Sequence, residues 1–200
     1  MRYAVIAKGM PLDMIEAEIK KVGGKDVTCA RLLQQAFCEL DEDQAEALAR
    51  VPGLVVKPVG QFRTQQVMTV ARPVETVSDV FYLLRSYFSP PLTGSGLTVA
   101  VLDSGIRKNH ESLQGKVIYE ANFTDSPTTN DVFGHGTQVA FMAAGGLHAE
   151  GTKAGVSPGA RLFNLKVIND SGYGTDEGIV LAIDRVCDMA ERARTSGLHA

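Results

Sequence analysis

The hydrophobic pattern divides the chain near residue 62. Before that point, "YAVIAK" (3–8) reads as a strand, and Leu12, Ile15, Ile19 and Val22 then form one helical stripe that Gly23-Gly24 stops. "VTCARLL" (27–33) and "AFCEL" (36–40) are two further strand-like runs. Asp41 precedes Gln44 by three positions, an Asp version of the capping box, with Ala45, Leu48, Ala49 and Val51 on the face behind it. Pro52-Gly53 breaks that helix and "LVVKPVG" (54–60) reads as a last strand. The order β-α-β-β-α-β over residues 1–62 predicts a ferredoxin-like α+β unit.

Residues 63–95 form a less regular connection. Within it, Val80, Leu83, Leu84 and Tyr87 predict a helix over 77–88 that Ser89-Pro90-Pro91 ends, and its aromatic residues read as packing. From 96 to 200 strands and helices alternate: "LTVAVLD" (97–103), "KVIYEANF" (116–123), a helix after Gly136, "ARLFNLKVI" (160–168) and a helix over 176–194. Thr175 is the expected cap of that last helix, Asp176 and Glu177 fill its first turn, and Ile179, Ile183, Val186 and Ala190 mark its buried face. Apolar strands between helices predict an α/β fold with a parallel sheet covered on both sides. Sites in such sheets lie at the carboxyl ends of strands, and "VAVLDSGI" (99–106) places Asp103 at such an end.

Composition narrows the function classes. At 44% hydrophobic and 22% charged the chain is an ordinary globular sequence, and its net charge of −3 gives nucleic acid no basic surface to bind. No apolar run approaches the roughly 20 residues that span a bilayer, so no membrane partner is expected. Cys29, Cys38 and Cys187 form no CxxC or Cys/His spacing and read as buried small hydrophobes, not as a metal set or disulfide framework. With no signal-peptide pattern at the N-terminus, a cytoplasmic location is favoured, and a secreted one stays open if a leader was removed.

Several chemistries fail on motif grounds. No GxGxxG follows "VAVLD" and no GxxxxGK is present, so neither a dinucleotide nor a phosphate loop is expected. The four histidines are scattered and form no HExxH. One of them stands apart: in "FGHGTQVA" (133–140), His135 sits between Gly134 and Gly136 at the start of a helix, where another side chain can approach it closely. Asp103 and His135 are therefore the candidate pair.

The pair resembles the subtilisin-like serine proteases, or subtilases. "VAVLDSGI" resembles that family's aspartate motif and "GHGTQVA" its histidine motif, in the order Asp then His. "AGVSPGARLFNLKV" (154–167) and "SGYGTDEGIVLAID" (171–184) resemble the segments that lead into the next strand and carry the substrate-binding edge. The resemblance implies an endopeptidase in which His135 is the general base and Asp103 orients it. It implies that Gly172, Tyr173 and Gly174 pair with an extended polypeptide substrate. Residues 1–62 then correspond to a propeptide that chaperones and inhibits, 63–95 to the connection, and 96–200 to the N-terminal part of the peptidase domain.

The resemblance is incomplete. After His135 the only serines are Ser157, Ser171 and Ser196, and none stands in the family's Gly-Thr-Ser setting. The nucleophile and the oxyanion asparagine are thus expected in a missing C-terminal portion of a longer protease, and the chain alone is expected to be inactive. A prodomain-type inhibitor or pseudoprotease binding module is the alternative. Gln138 replaces a frequent second histidine, which leaves the base untouched. "HESL" (110–113) puts Ser112 where the family often places a calcium-binding aspartate, and the loop 145–155 lacks the usual asparagines, so neither a metal nor another cofactor is expected.

Overall fold

A computed structural model describes residues 1–64, 92–146 and 155–196. The helix expected over 77–88 and most of the loop 145–155 lie outside them. The chain divides into two compact units: Met1–Phe62 with Thr175–Arg192, and Arg63–Gly174 with Ala193–Ala200.

The first unit holds β1 (Arg2–Ala7), α1 (Leu12–Lys21), β2 (Lys25–Ala30), β3 (Gln35–Glu39), α2 (Glu42–Ala49) and β4 (Leu54–Pro58). Its sheet has the order β2-β3-β1-β4, with every neighbouring pair antiparallel. β1 and β2 therefore run in the same direction with β3 between them. Leu12, Ile15 and Ile19 from α1 and Leu48 from α2 are buried with Val5, Ala36, Cys38, Leu40 and Leu54 in one core. The stripe read from the sequence is the face α1 buries. α2 begins with the expected capping box: the Gln44 amide donates to Asp41 Oδ1 at 2.8 Å, and the Asp41 amide donates to Gln44 Oε1 at 2.9 Å.

Three local expectations fail. The strand expected through Leu33 ends at Ala30, because Arg31–Gln34 form a turn in which Leu32 and Leu33 are exposed. Ala49 is exposed on the last turn of α2. Of the cysteines, Cys38 is buried and Cys29 half-buried, and burial pushes both thiols up to about 11; Cys187, by contrast, is exposed.

The long C-terminal helix α4 (Asp176–Thr195) corrects the fourth expectation. Thr175 caps it, its Oγ1 accepting the Gly178 amide at 3.1 Å. The apolar stripe is not the buried face, since Ile183 and Ala190 are exposed while Gly178 and Ala182 are buried. The reason is polar. Glu177 forms an ion pair with Arg2 at 2.5 Å, and the Asp184 carboxylate accepts the amides of Arg31, Leu32 and Leu33 at 3.1, 2.7 and 3.0 Å. Residues seven apart share a helix side, so these two anchors turn the small residues inward and the isoleucine stripe away.

The second unit is built on a three-stranded parallel sheet of β6 (Thr98–Asp103), β7 (Val117–Asn122) and β8 (Arg161–Lys166), in the order β6-β8-β7. Helix α3 (His135–Ala144) packs on it, and Val101, Ile106, Leu113, Ala140, Ala144, Ala160 and Leu162 form the core. β8 lies in the middle, so Asp103 at the end of β6 stands level with Lys166 at the end of β8. Two three-residue strands, β5 (Gln61–Arg63) and β9 (Tyr173–Thr175), complete the list, and β5 was not foreseen. Among the described residues no helix is long and apolar enough to cross a membrane.

Candidate active site

β6 delivers Asp103 to the sheet's carboxyl edge, and α3 begins with His135. The turn between them in space is tight. Gly136 lies against the β6 turn so closely that a Cβ there would overlap Gly105 O and stand 3.1 Å from both Cβ and Oδ1 of Asp103. Gly134, the N-cap, has φ +100°, a left-handed conformation that glycine adopts without cost. The glycines flanking His135 therefore let the helix start almost in contact with the aspartate.

His135 Nδ1 lies 2.8 Å from Asp103 Oδ1 and 2.9 Å from Oδ2. Asp103 is buried, and its Oδ1 also accepts the Ser104 amide at 2.7 Å. A carboxylate accepts only, so the shared proton sits on Nδ1 and the lone pair of the neutral ring lies on Nε2. That is the form of histidine able to take a proton from a hydroxyl. Among the described residues no serine hydroxyl is hydrogen-bonded to His135, and Ser157, Ser171 and Ser196 all lie elsewhere: the first two in turns, the third at the end of α4.

Beneath the pair is a buried polar layer that the sequence reading missed. Asp131, fully buried, accepts the Ser104 hydroxyl at 2.8 Å and the Gly134 amide at 2.7 Å on Oδ1. Its Oδ2 accepts the Thr137 amide at 2.8 Å and the Thr137 hydroxyl at 2.5 Å. One carboxylate thus satisfies orphan donors in the first turn of α3 and ties that turn to Ser104, whose Oγ in turn accepts the Gly136 amide at 2.9 Å. Lys166, also fully buried, donates to Ser104 O and, at 3.1 Å, to Asn130 O, and it lies 2.9 Å from Asp170 Oδ1. Two signals were available: an acid three residues before the N-cap glycine, and a lysine within the mostly apolar run 162–168.

The contact at Gly136 makes a direct prediction. Gly136→Ala forces a Cβ against the backbone oxygen of Gly105, which no rotamer change relieves, and is expected to cost about 3 kcal/mol as an overpacked site. Urea unfolding of residues 1–200 measures it; a loss below about 0.5 kcal/mol would mean the approach is not tight.

The expected peptide-binding residues fall on one short element. Gly172 precedes β9, and Tyr173 and Gly174 lie in it. Asn169 holds this turn, its amide donating to Tyr173 O at 2.7 Å and its Oδ1 accepting the amides of Ser171 and Tyr173 at 3.1 and 3.0 Å. Gly174 bridges antiparallel to Ile168. Gly172 O is occupied by the Thr64 amide at 2.9 Å. Ser112 is buried, its carbonyl accepting the Gly146 amide, and among the described residues no group of three or more His, Cys, Asp or Glu is placed to share a metal ion.

The profile of the subtilase family matches residues 94–194. The chain belongs to the subtilase family. Subtilisin-like protease 6 of Trichophyton rubrum is 34% identical over 99 residues, half of this chain and 22% of its own length. Thermitase of Thermoactinomyces vulgaris is 33% identical over 100 residues, half of this chain and 36% of its own. This subtilase therefore spans about a fifth to a third of the relatives it matches. Fervidolysin from Fervidobacterium pennivorans, a keratinolytic enzyme related to subtilisin, superposes with a TM-score of 0.66 at 20% identity, over 94% of this chain and 34% of its own. The epidermin leader peptide processing protease of Staphylococcus aureus gives a TM-score of 0.62 at 18% identity, over 83% and 43%. At those identities the likeness is one of fold. The expected cytoplasmic location gains no support from these comparisons.

Proposed function

We propose that this subtilase chain supplies the proregion and the Asp/His half of a serine endopeptidase acting on polypeptides, and that the nucleophile belongs to a further portion of a longer protein. The observation that carries the reading is the 2.8 Å contact between Asp103 and His135 Nδ1. In this reading Nε2 takes the proton of an incoming serine hydroxyl and returns it to the leaving amine, while Asp103 holds the tautomer and stabilises the imidazolium. β9 lays the substrate out by backbone pairing. Residues 1–62 act as the propeptide, 63–95 connect, and 96–200 begin the peptidase domain. The β2-β3-β1-β4 order, which is that of a ferredoxin-like unit, supports the first assignment, and the Thr64–Gly172 bond supports a connecting segment that occupies the peptide edge.

Purified residues 1–200 are expected to hydrolyse no peptide ester above background, because among the described residues no hydroxyl is hydrogen-bonded to His135. Hydrolysis that His135→Ala abolishes would refute this. The same Thr64–Gly172 bond favours a second reading, in which the chain is an inhibitor module. Nanomolar inhibition of an unrelated active subtilase by residues 1–200 would favour it, and micromolar or weaker inhibition would favour the protease fragment.

A further inference from the structure

We propose that Tyr173 forms a subsite for a basic side chain, so that the protease prefers arginine or lysine at one position of its peptide substrate. The inference rests on the reading of β9 as the peptide-binding edge and names what that edge selects.

The chain itself provides the example. Thr64 donates its amide to Gly172 O at 2.9 Å, as an extended peptide on this edge would. The preceding residue, Arg63, places its guanidinium carbon 5.2 Å from the centroid of the Tyr173 ring. That is within the range at which a cation is drawn to an aromatic face. The ring is a prepared platform. Tyr173 is held at both its amide and its carbonyl by Asn169, and Gly172 before it has φ +85° and packs so near Phe133 that a Cβ would stand 2.8 Å from that ring. The backbone under Tyr173 is thereby fixed, while the residue is 45% exposed.

The magnitude follows from exposure. A cation over an exposed aromatic face is worth about 0.5–1 kcal/mol, or about two- to fivefold in kcat/KM. The test uses the longer protein that carries residues 1–200 and fluorogenic peptides scanned with Arg, Lys, Leu or Glu at each position. The expected result is a two- to fivefold preference for Arg and Lys at one position, retained in Tyr173→Phe, which keeps the ring, and lost in Tyr173→Leu, which keeps the bulk. Hydrolysis with no basic preference, or with one that Tyr173→Leu leaves intact, overturns the subsite and spares the protease reading. Hydrolysis of no peptide at all by the unaltered longer protein overturns both.

Discussion

Replacing Asp103 by asparagine is expected, on the proposed protease reading, to lower kcat of the longer protein by about 10⁴-fold while leaving its fold in place. The carboxamide matches the carboxylate in shape, and its oxygen can go on accepting the Ser104 amide that now bonds Oδ1 at 2.7 Å. What changes is the partner offered to His135. With that oxygen engaged, the NH₂ faces Nδ1 and donates, which makes Nδ1 the acceptor and moves the ring proton to Nε2. A protonated Nε2 cannot take the serine proton. The loss should therefore appear in kcat with little change in KM, and thermal unfolding should shift by no more than a few degrees. Single-turnover rates on a peptide ester, with a melting curve of the same sample, make the measurement. A loss below about tenfold would mean that Asp103 does not set the tautomer.

Asp103 and His135 were legible because each stands at the end of an element with glycine within two residues, features a linear pattern records. The first unit was legible for a similar reason: its stripes, its breakers and the Asp41–Gln44 box are all local. The layer beneath the site was not. Asp131 and Ser104 are 27 residues apart, and Ser104 and Lys166 are 62 apart, so only the folded sheet shows that they are partners. The face of α4 was misread because hydrophobic periodicity counts apolar residues, whereas Glu177 and Asp184 orient the helix through hydrogen bonds and an ion pair. β5 escaped notice because three residues carry no measurable period.

Lys166→Met should lower stability as much as any single change at the site. Methionine nearly matches the stem of lysine, so little volume is lost and the cost is polar. The substitution leaves the carbonyls of Ser104 and Asn130 without their donor, and it leaves Asp170 without its cation. Removing one member of a buried ionic cluster costs about 3–5 kcal/mol. Ser104 is fully buried, so its carbonyl bears the full penalty, whereas Asn130 is exposed and its carbonyl can take up water. The lower end, about 3 kcal/mol, is therefore expected, which for a chain of this size corresponds to roughly 6–12 °C in Tm. Denaturant unfolding of residues 1–200 tests the value, and the double variant with Asp170→Asn locates it. If the carbonyls dominate, the second change adds less than about 1 kcal/mol; if the ion pair dominates, it restores much of the loss. A Lys166→Met loss below about 1 kcal/mol would mean that water replaces the ammonium and that this layer is not sealed. Both carbonyls belong to residues adjoining the acids of the site, Ser104 next to Asp103 and Asn130 next to Asp131. Loss of the lysine should therefore loosen the two turns together, and the proton shared by His135 and Asp103 should exchange faster with solvent than in the parent protein.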